Sequence, residues 1–182
     1  MPAKSGSHPA APRKRLALAT LVKQARELGA VKARLIRASS VVTAAWVRMK
    51  CRYGCGGYDT SLCCPPHTPT PEETRRVIDC YKHAIFFEAG RREPKKICVK
   101  LECAAFLAGY YKAFGYGSGP CRWCGDEPCN MQKGCRHADE ARPAMEACGI
   151  DVFATARANG FTIEVVRDHD DVHRYFGMVM VE

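Results

Sequence analysis

The sequence predicts an α/β fold, in which helices flank a small central sheet and a cysteine-rich insert interrupts them. Segments with apolar residues at helical spacing alternate with short segments typical of strands. In two other regions this periodicity gives way to Gly, Pro and Cys. Of the 182 residues, 47% are hydrophobic and 26% are charged, which is the composition of an ordinary folded protein.

The first part of the chain predicts a helix, a strand and a second, short helix. Apolar residues recur at helical spacing over residues 16–28, and Gly29 is a natural stop. Over residues 31–38 apolar residues alternate with basic ones, which predicts a half-exposed strand. Thr43 can cap the short helix, which then leads to Cys51.

The middle of the chain predicts a helix, a buried strand and a longer helix. Thr70 and Glu73 form a capping box with Pro71 at the first helical position, so a helix should run to about Tyr81 or Lys82. The apolar run 84–88 predicts the strand, and residues 94–113 carry one continuous apolar face.

Gly, Pro and Cys dominate residues 115–136, where neither a helix nor a strand is predicted. The glycines of the run 115–119 would let the backbone approach a metal group closely. Residues 138–148 and 152–158 predict helices separated by Gly149. Two strand-like runs follow, at residues 161–166 and 175–181.

Charge divides the chain into a basic tail and a domain. We expect residues 1–15 to be a disordered basic tail and residues 16–182 to be a single α/β metal-binding domain, with Cys-rich loops at 51–67 and 115–137. Six basic and no acidic residues occur in residues 1–26, whereas the other 156 residues carry 22 basic and 19 acidic side chains. Because the folded body is nearly neutral, nucleic acid is not an expected partner.

Neither a membrane span nor a secretory leader is predicted. No segment approaches the roughly 18 consecutive apolar residues that cross a bilayer. The first residues also lack the apolar stretch of a secretory signal. We therefore expect a cytoplasmic protein, in which thiols stay reduced and the 12 cysteines favour metal binding over disulfides.

The most compact cysteine motif is C-x2-C-x4-C-x5-C, formed by Cys121, Cys124, Cys129 and Cys135. A Cys-x2-Cys turn places two thiolates on one side of a loop, where backbone N–H groups point at the sulfurs. Structural zinc sites more often join two Cys pairs through a spacer of about a dozen residues or more. Four thiolates so close together favour a ferredoxin-like iron–sulfur insert, with zinc as the alternative.

The first cysteine group is Cys51, Cys55 and Cys64, spaced C-x3-C-x8-C. Cys63 and Cys64 are neighbours whose side chains diverge, and Cys64 is preferred because it precedes a proline, as the last Cys of a ferredoxin run does. Three thiolates on a four-iron cluster would leave one iron open. Otherwise Cys63, His67 or another residue fills the fourth position, and the site is structural.

Four further cysteines stand singly within helical patterns, where core or surface packing is the simplest interpretation. They are Cys80, Cys98, Cys103 and Cys148.

Both cysteine groups lie within longer strings that resemble one known family. The first string is C-x-Y-G-C followed by C-P-P-H-T-P-T-P-E-E-T-R, and the later strings include F-L-A-G-Y-Y-K-A, G-P-C-R-x-C and M-E-A-C-G-I-D-V. Together they span roughly residues 46–182 and resemble the family catalogued as domain of unknown function 2284, which comprises predicted metal-binding proteins. The resemblance implies cluster thiolates at Cys51, Cys55, Cys64, Cys121, Cys124, Cys129 and Cys135.

These observations predict an iron–sulfur protein with two [4Fe–4S]-type sites. The second would be a closed four-Cys electron relay, and the first a three-Cys cluster whose open iron performs redox or Lewis-acid chemistry on a small molecule. Such an oxidoreductase or electron-transfer protein would meet a redox partner protein or a small-molecule substrate. The alternatives are a sulfur-transfer or desulfidase enzyme that uses the open cluster, and a non-enzymatic structural or interaction protein that binds zinc.

Overall fold

The computed structural model describes residues 15–91 and 93–182, so the predicted tail lies outside the described residues except for Arg15. The elements are α1 (Leu18–Glu27), β1 (Lys32–Arg37), α2 (Ala45–Gly54), α3 (Pro71–Ile78), β2 (His83–Ala89), α4 (Glu93–Leu107), β3 (Phe114–Tyr116), α5 (Val152–Ala158) and β4 (Tyr175–Met180). Short 3-10 helices occupy Ala38–Ser40 and Glu146–Cys148.

The four strands form one antiparallel sheet in the order β1-β2-β4-β3. The central strand β2 is buried on both faces, which explains its continuous apolar sequence. On one face, Ile85 and Phe87 of β2 belong to a core shared with α1 and α4. On the other face, Phe86 packs among residues of α5 and of the segments beside it. The predicted combination of a small sheet and flanking helices is therefore confirmed, as an antiparallel sheet.

Most elements of the first half are confirmed, with shifted ends. The capping box at Thr70 is present, since Glu73 N–H donates to the Thr70 hydroxyl and the Glu73 carboxylate accepts from Thr70 N–H. This helix ends at Ile78, before the predicted Tyr81, because the chain turns there to enter β2. Similarly, α4 ends at Leu107 because Gly109 adopts a left-handed conformation.

Helix α2 is longer than predicted and begins differently. It extends through Gly54 and therefore contains Cys51 itself. The predicted cap at Thr43 is wrong: the N-cap residue is Ala44, and no side chain caps the helix. Thr43 instead forms an isolated β-bridge with Ile150, which ties the start of α2 to the segment before α5.

Two predictions for the second half are wrong. Residues 138–148 form turns and a short 3-10 helix, because Gly117 and Ala144 form a bridge that holds the chain extended there. Residues 161–166 are not a strand, although Phe161 and Ile163 bury their side chains in the core. Their apolar alternation matches burial, but they pair with no strand among the residues that the structure describes. Strand β3, only three residues long, has no sequence signal of its own.

The glycines before the second cysteine group are required by helix α4. A Cβ on Gly115 would overlap the sulfur of Cys98, and a Cβ on Gly117 would lie 2.8 Å from Cγ of Lys95. These two glycines therefore allow the close approach of β3 and its extension to α4, and the approach of this run to a metal group stays a prediction. Residues 118–143 contain no helix or strand, and the ferredoxin-like character of this insert stays a prediction.

Within the described ranges, no helix is both long enough and apolar enough to cross a membrane.

Candidate metal centre

The first cysteine group lies where α2 ends and the following loop returns to it. Cys51 is in the last turn of α2, and Cys55 immediately follows the helix. A Cβ placed on Gly57 would lie 3.5 Å from Sγ of Cys55 and 3.7 Å from Sγ of Cys64, so these two sulfurs share one small space. Burial raises the pKa of the Cys51 thiol, and repulsion from Cys55, Glu146 and Cys64 raises it further. The structure thus brings the three predicted residues together.

The second cysteine group surrounds a cavity of about 240 Å³. The cavity is lined on one side by the cysteine-rich segment after β3 and on the other by the loop that follows α2. Its thiols come from the four predicted residues and from one more: Cys63, Cys121, Cys124, Cys129 and Cys135. The fifth thiol, Cys63, was predicted only as an alternative fourth ligand of the first group.

Cys63 belongs to the second group because its thiol is hydrogen-bonded to Cys121. This bond, together with burial, raises the pKa of Cys63. The same bond lowers the pKa of Cys121, with further help from the backbone N–H of Trp123 and from the charges of Lys95 and His137. Cys63 and Cys121 therefore interact directly, which places Cys63 with the second group.

Three cysteines accept a hydrogen bond from the backbone N–H of the second residue after them. The N···S distance is 3.4 Å from Gly57 to Cys55 and 3.4 Å from His137 to Cys135. The third acceptor is Cys121, as described above. Both cysteine groups thus contain thiols that a backbone N–H group contacts.

The thiols line their cavities without converging on a single point. Within residues 15–91 and 93–182, no three His, Cys, Asp or Glu side chains are placed so that they could hold one metal ion as they stand. The donor set is nevertheless that of a soft metal group, since sulfur dominates it.

Both named candidates for the fourth position of the first group have other partners. Cys63 contacts Cys121, and Nε2 of His67 is hydrogen-bonded to Oδ1 of Asp59 at 2.8 Å.

The four solitary cysteines have the predicted packing roles. Cys98 and Cys148 are buried in the core, whereas Cys80 and Cys103 are exposed. Burial raises the pKa of Cys148 to about 12, as expected for a thiol among apolar side chains. All twelve cysteines lie in the described residues, and none is in a disulfide.

Lys95 is a residue near both groups that sequence reasoning missed. It belongs to α4, and its ammonium donates a hydrogen bond to the carbonyl of Pro120. Burial lowers the pKa of Lys95, and the charges of Cys121, Cys63 and Cys64 oppose this effect. A cation is therefore held beside thiols of both groups. The sequence does not indicate that Lys95 lies beside the cysteines, because a lysine in an amphipathic helix is normally assigned to the surface.

The end of the cysteine-rich segment is fastened to α4 by an ion pair. Arg142 donates from Nε and Nη2 to the two carboxylate oxygens of Glu102, both at 2.7 Å. Oε2 of Glu102 also accepts from the backbone N–H of Gly115 at 2.8 Å. Both charged side chains are about 85% buried, so this bidentate pair fixes the segment relative to α4 and β3.

A second cavity, of about 520 Å³, adjoins the first cysteine group. Cys51, Cys55 and Glu146 line it together with apolar side chains of α2, α5 and the segment 161–166. Sγ of Cys51 lies 4.0 Å from the backbone carbonyl oxygen of Glu146. The carboxylate oxygen Oε2 of Glu146 is buried and has no hydrogen-bond partner among the described residues, and burial raises the pKa of this carboxyl.

Comparison with known proteins gives a single finding on family. No curated protein and no solved structure matches the chain. The model of the family described as "Predicted metal-binding protein (DUF2284)" matches residues 34–181, which include most of β1, all of β2 to β4 and both cysteine groups. The chain therefore belongs to this family of predicted metal-binding proteins.

Proposed function

We propose that this chain is an iron–sulfur protein with two adjoining sites. Cys51, Cys55 and Cys64 would hold a cluster at the first site, and the second would be closed by cysteines that line the 240 Å³ cavity, including the predicted Cys121, Cys124, Cys129 and Cys135. The observation that carries the proposal is the divergence of Cys63 and Cys64, since it divides the thiols between two separate groups.

Three features of the donor set support iron–sulfur clusters over zinc. The ligands of both sites are thiols, which is the usual set for [4Fe–4S] clusters. The thiols of the second site surround a cavity of about 240 Å³, which gives a polynuclear group room. Backbone N–H groups point at the sulfurs, as in the loops that tune cluster potentials.

The second site would relay electrons. Iron–sulfur clusters exchange single electrons at potentials set by charge, hydrogen bonding and exposure. In this chain, Cys63 and the backbone N–H of Trp123 donate toward Cys121, and Lys95 supplies positive charge nearby. Because Cys63 and Cys64 are consecutive residues, one peptide unit joins the two sites and provides a short route between them.

The first site would be the reacting site. Its three thiols leave a position for a fourth ligand, and the 520 Å³ cavity reaches Cys51 and Cys55. A small molecule in this cavity could therefore meet the open position and undergo redox or Lewis-acid chemistry there. Free thiols in this number suit a reducing compartment, and we include a cytoplasmic location in the proposal.

The test is anaerobic purification of the full chain, with analysis of iron, acid-labile sulfide and zinc. We expect a brown protein with about eight iron and eight sulfide per chain, and an EPR signal after dithionite reduction. A colourless protein with stoichiometric zinc would contradict the proposal and favour the structural or interaction protein.

A further inference from the structure

The cavity beside the first cysteine group has the properties of a small-molecule site. Its volume of about 520 Å³ lies within the roughly 300–1,000 Å³ typical of ligand pockets. The walls are mainly apolar and include Trp46, Phe153, Val165 and Phe176. A molecule that enters this space is therefore expected to bury an aromatic or branched aliphatic body.

The charged side chains that line the cavity already have partners, with one exception. Asp151 Oδ1 accepts from the backbone N–H of Ala154 at 2.9 Å, at the start of α5. Arg174 donates to Glu88 at 2.5 Å. The Lys50 ammonium lies over the ring of Trp46, 5.3 Å from its centroid. These groups therefore have partners without a ligand.

Glu146 is the exception, since its buried Oε2 has no hydrogen-bond partner in the described part of the chain. A buried polar atom without a partner is costly, and native proteins rarely retain one without a reason. Glu146 follows the segment anchored by Arg142 and is adjacent to Cys51 through its own backbone carbonyl. Glu146 is thus held in the wall of the cavity, beside the first cysteine group.

We propose that this cavity binds a small, mainly apolar molecule that carries one hydrogen-bonding head group, and that Glu146 receives this head group beside Cys51. The apolar walls select the body of the molecule, and Glu146 orients the head toward the thiols. This inference rests on the proposed function for the chemistry at the first site, but the binding itself does not require it.

The test compares benzyl alcohol with ethylbenzene, which has the same shape but replaces the hydroxyl by a methyl group. Binding of each probe to the anaerobically purified full chain is measured by ligand-observed NMR. Glu146→Leu should lower the affinity for benzyl alcohol by about threefold to tenfold, which is the usual net effect of one hydrogen bond. The affinity for ethylbenzene should stay the same or rise. Glu146→Gln keeps a hydrogen-bonding group and should retain most of the affinity for the alcohol.

A matched pair of surface variants separates the cavity from general hydrophobic binding. Val165 lines the cavity and Val172 does not, and both side chains are largely exposed, at 66% and 73%. Val165→Phe should lower the affinity for both probes because it narrows the cavity, whereas Val172→Phe should change neither affinity. Equal effects of the two variants, equal effects of Glu146→Leu on both probes, or no saturable binding would overturn the inference.

Metal content measured on the same samples keeps this test apart from that of the proposed function. Selective alcohol binding by a protein that contains zinc would contradict the iron–sulfur proposal and support the cavity. Full iron and sulfide content without probe binding would support the iron–sulfur proposal and contradict the proposed binding in the cavity.

Discussion

The thiol of Cys63 is hydrogen-bonded to Cys121, while its immediate neighbour Cys64 shares a small space with Cys55. The loop after α2 therefore supplies one thiol to each of two cysteine groups. We expect the two residues to be separable by experiment. Cys64→Ala should remove the iron of the first site, about half of the total, because that site has no spare thiol.

Cys63→Ala should instead retain the iron, because Cys121, Cys124, Cys129 and Cys135 remain to close the second site. The loss of a donor to Cys121 should shift only the EPR signal and the potential of that site. Iron analysis and EPR of both variants check this. The prediction fails if the two variants lose iron to the same extent.

Lys95 is expected to raise the reduction potential of the second site, because its positive charge stabilises the added electron. Lys95→Met should lower this potential by roughly 60 mV, which corresponds to tenfold in a one-electron equilibrium. Lys96→Met is the matched control, since Lys96 belongs to the same helix and is exposed. Redox titration followed by EPR measures both; equal shifts would exclude a specific effect of Lys95.

The Arg142–Glu102 pair should contribute strongly to stability. Arg142→Met leaves the Glu102 carboxylate buried without its partner, and we expect a loss of about 3 kcal/mol in the free energy of unfolding. Lys23→Met breaks the exposed pair with Glu27 and should change the free energy of unfolding by less than about 1 kcal/mol. Urea unfolding of each variant gives the comparison, and similar losses would contradict the prediction.

Gly115 should tolerate no side chain while Cys98 is present. Gly115→Ala places a methyl group against Sγ of Cys98 and 3.0 Å from Oε2 of Glu102, so a loss of about 1–3 kcal/mol is expected. The double variant with Cys98→Ala should recover part of this loss, because the sulfur is then absent. Gly56→Ala, where a Cβ would meet nothing within 4 Å, is the control. Thermal unfolding of these three variants and of the single variant Cys98→Ala tests the contact, and an additive double variant would disprove it.

Glu146 should make stability depend on pH. Burial raises the pKa of its carboxyl above the ordinary 4.5, so below pH 4.5 the group is protonated in both folded and unfolded chains. As the pH rises toward the raised pKa, the unfolded chain releases this proton first, and the free energy of unfolding falls. Glu146→Gln does not titrate and should be more stable than the wild type at pH 8, with a smaller advantage at pH 5.

Urea unfolding at these two pH values tests the prediction for Glu146. Glu164→Gln, at an exposed glutamate, is the control for the substitution itself.

Sequence patterns predicted the elements whose signals are local. The capping box at Thr70 and the buried run of β2 need no knowledge of distant residues, and both are present. Residues 161–166 show the limit of such patterns. Their alternation reports burial of Phe161 and Ile163, but a strand also needs a partner, which only the tertiary structure decides.

The candidate site also has features that local sequence predicts and features that depend on the tertiary structure. Spacing brought Cys51, Cys55 and Cys64 into one group and the four later cysteines into another, and the structure places them accordingly. Lys95 could not be found, because its environment is created by α4 meeting two loops. The divergence of adjacent side chains was recognised for Cys63 and Cys64, but the destination of Cys63 depends on the position of Cys121.

The adjacency of Cys63 and Cys64 has a consequence for assembly. Their α-carbons are about 3.8 Å apart, so a cofactor that fixes one of these residues also fixes the backbone of the other. The entropy of ordering this loop is therefore lost once and shared between two binding events. Filling either site should prepare the other, and partially loaded chains should be scarce during maturation.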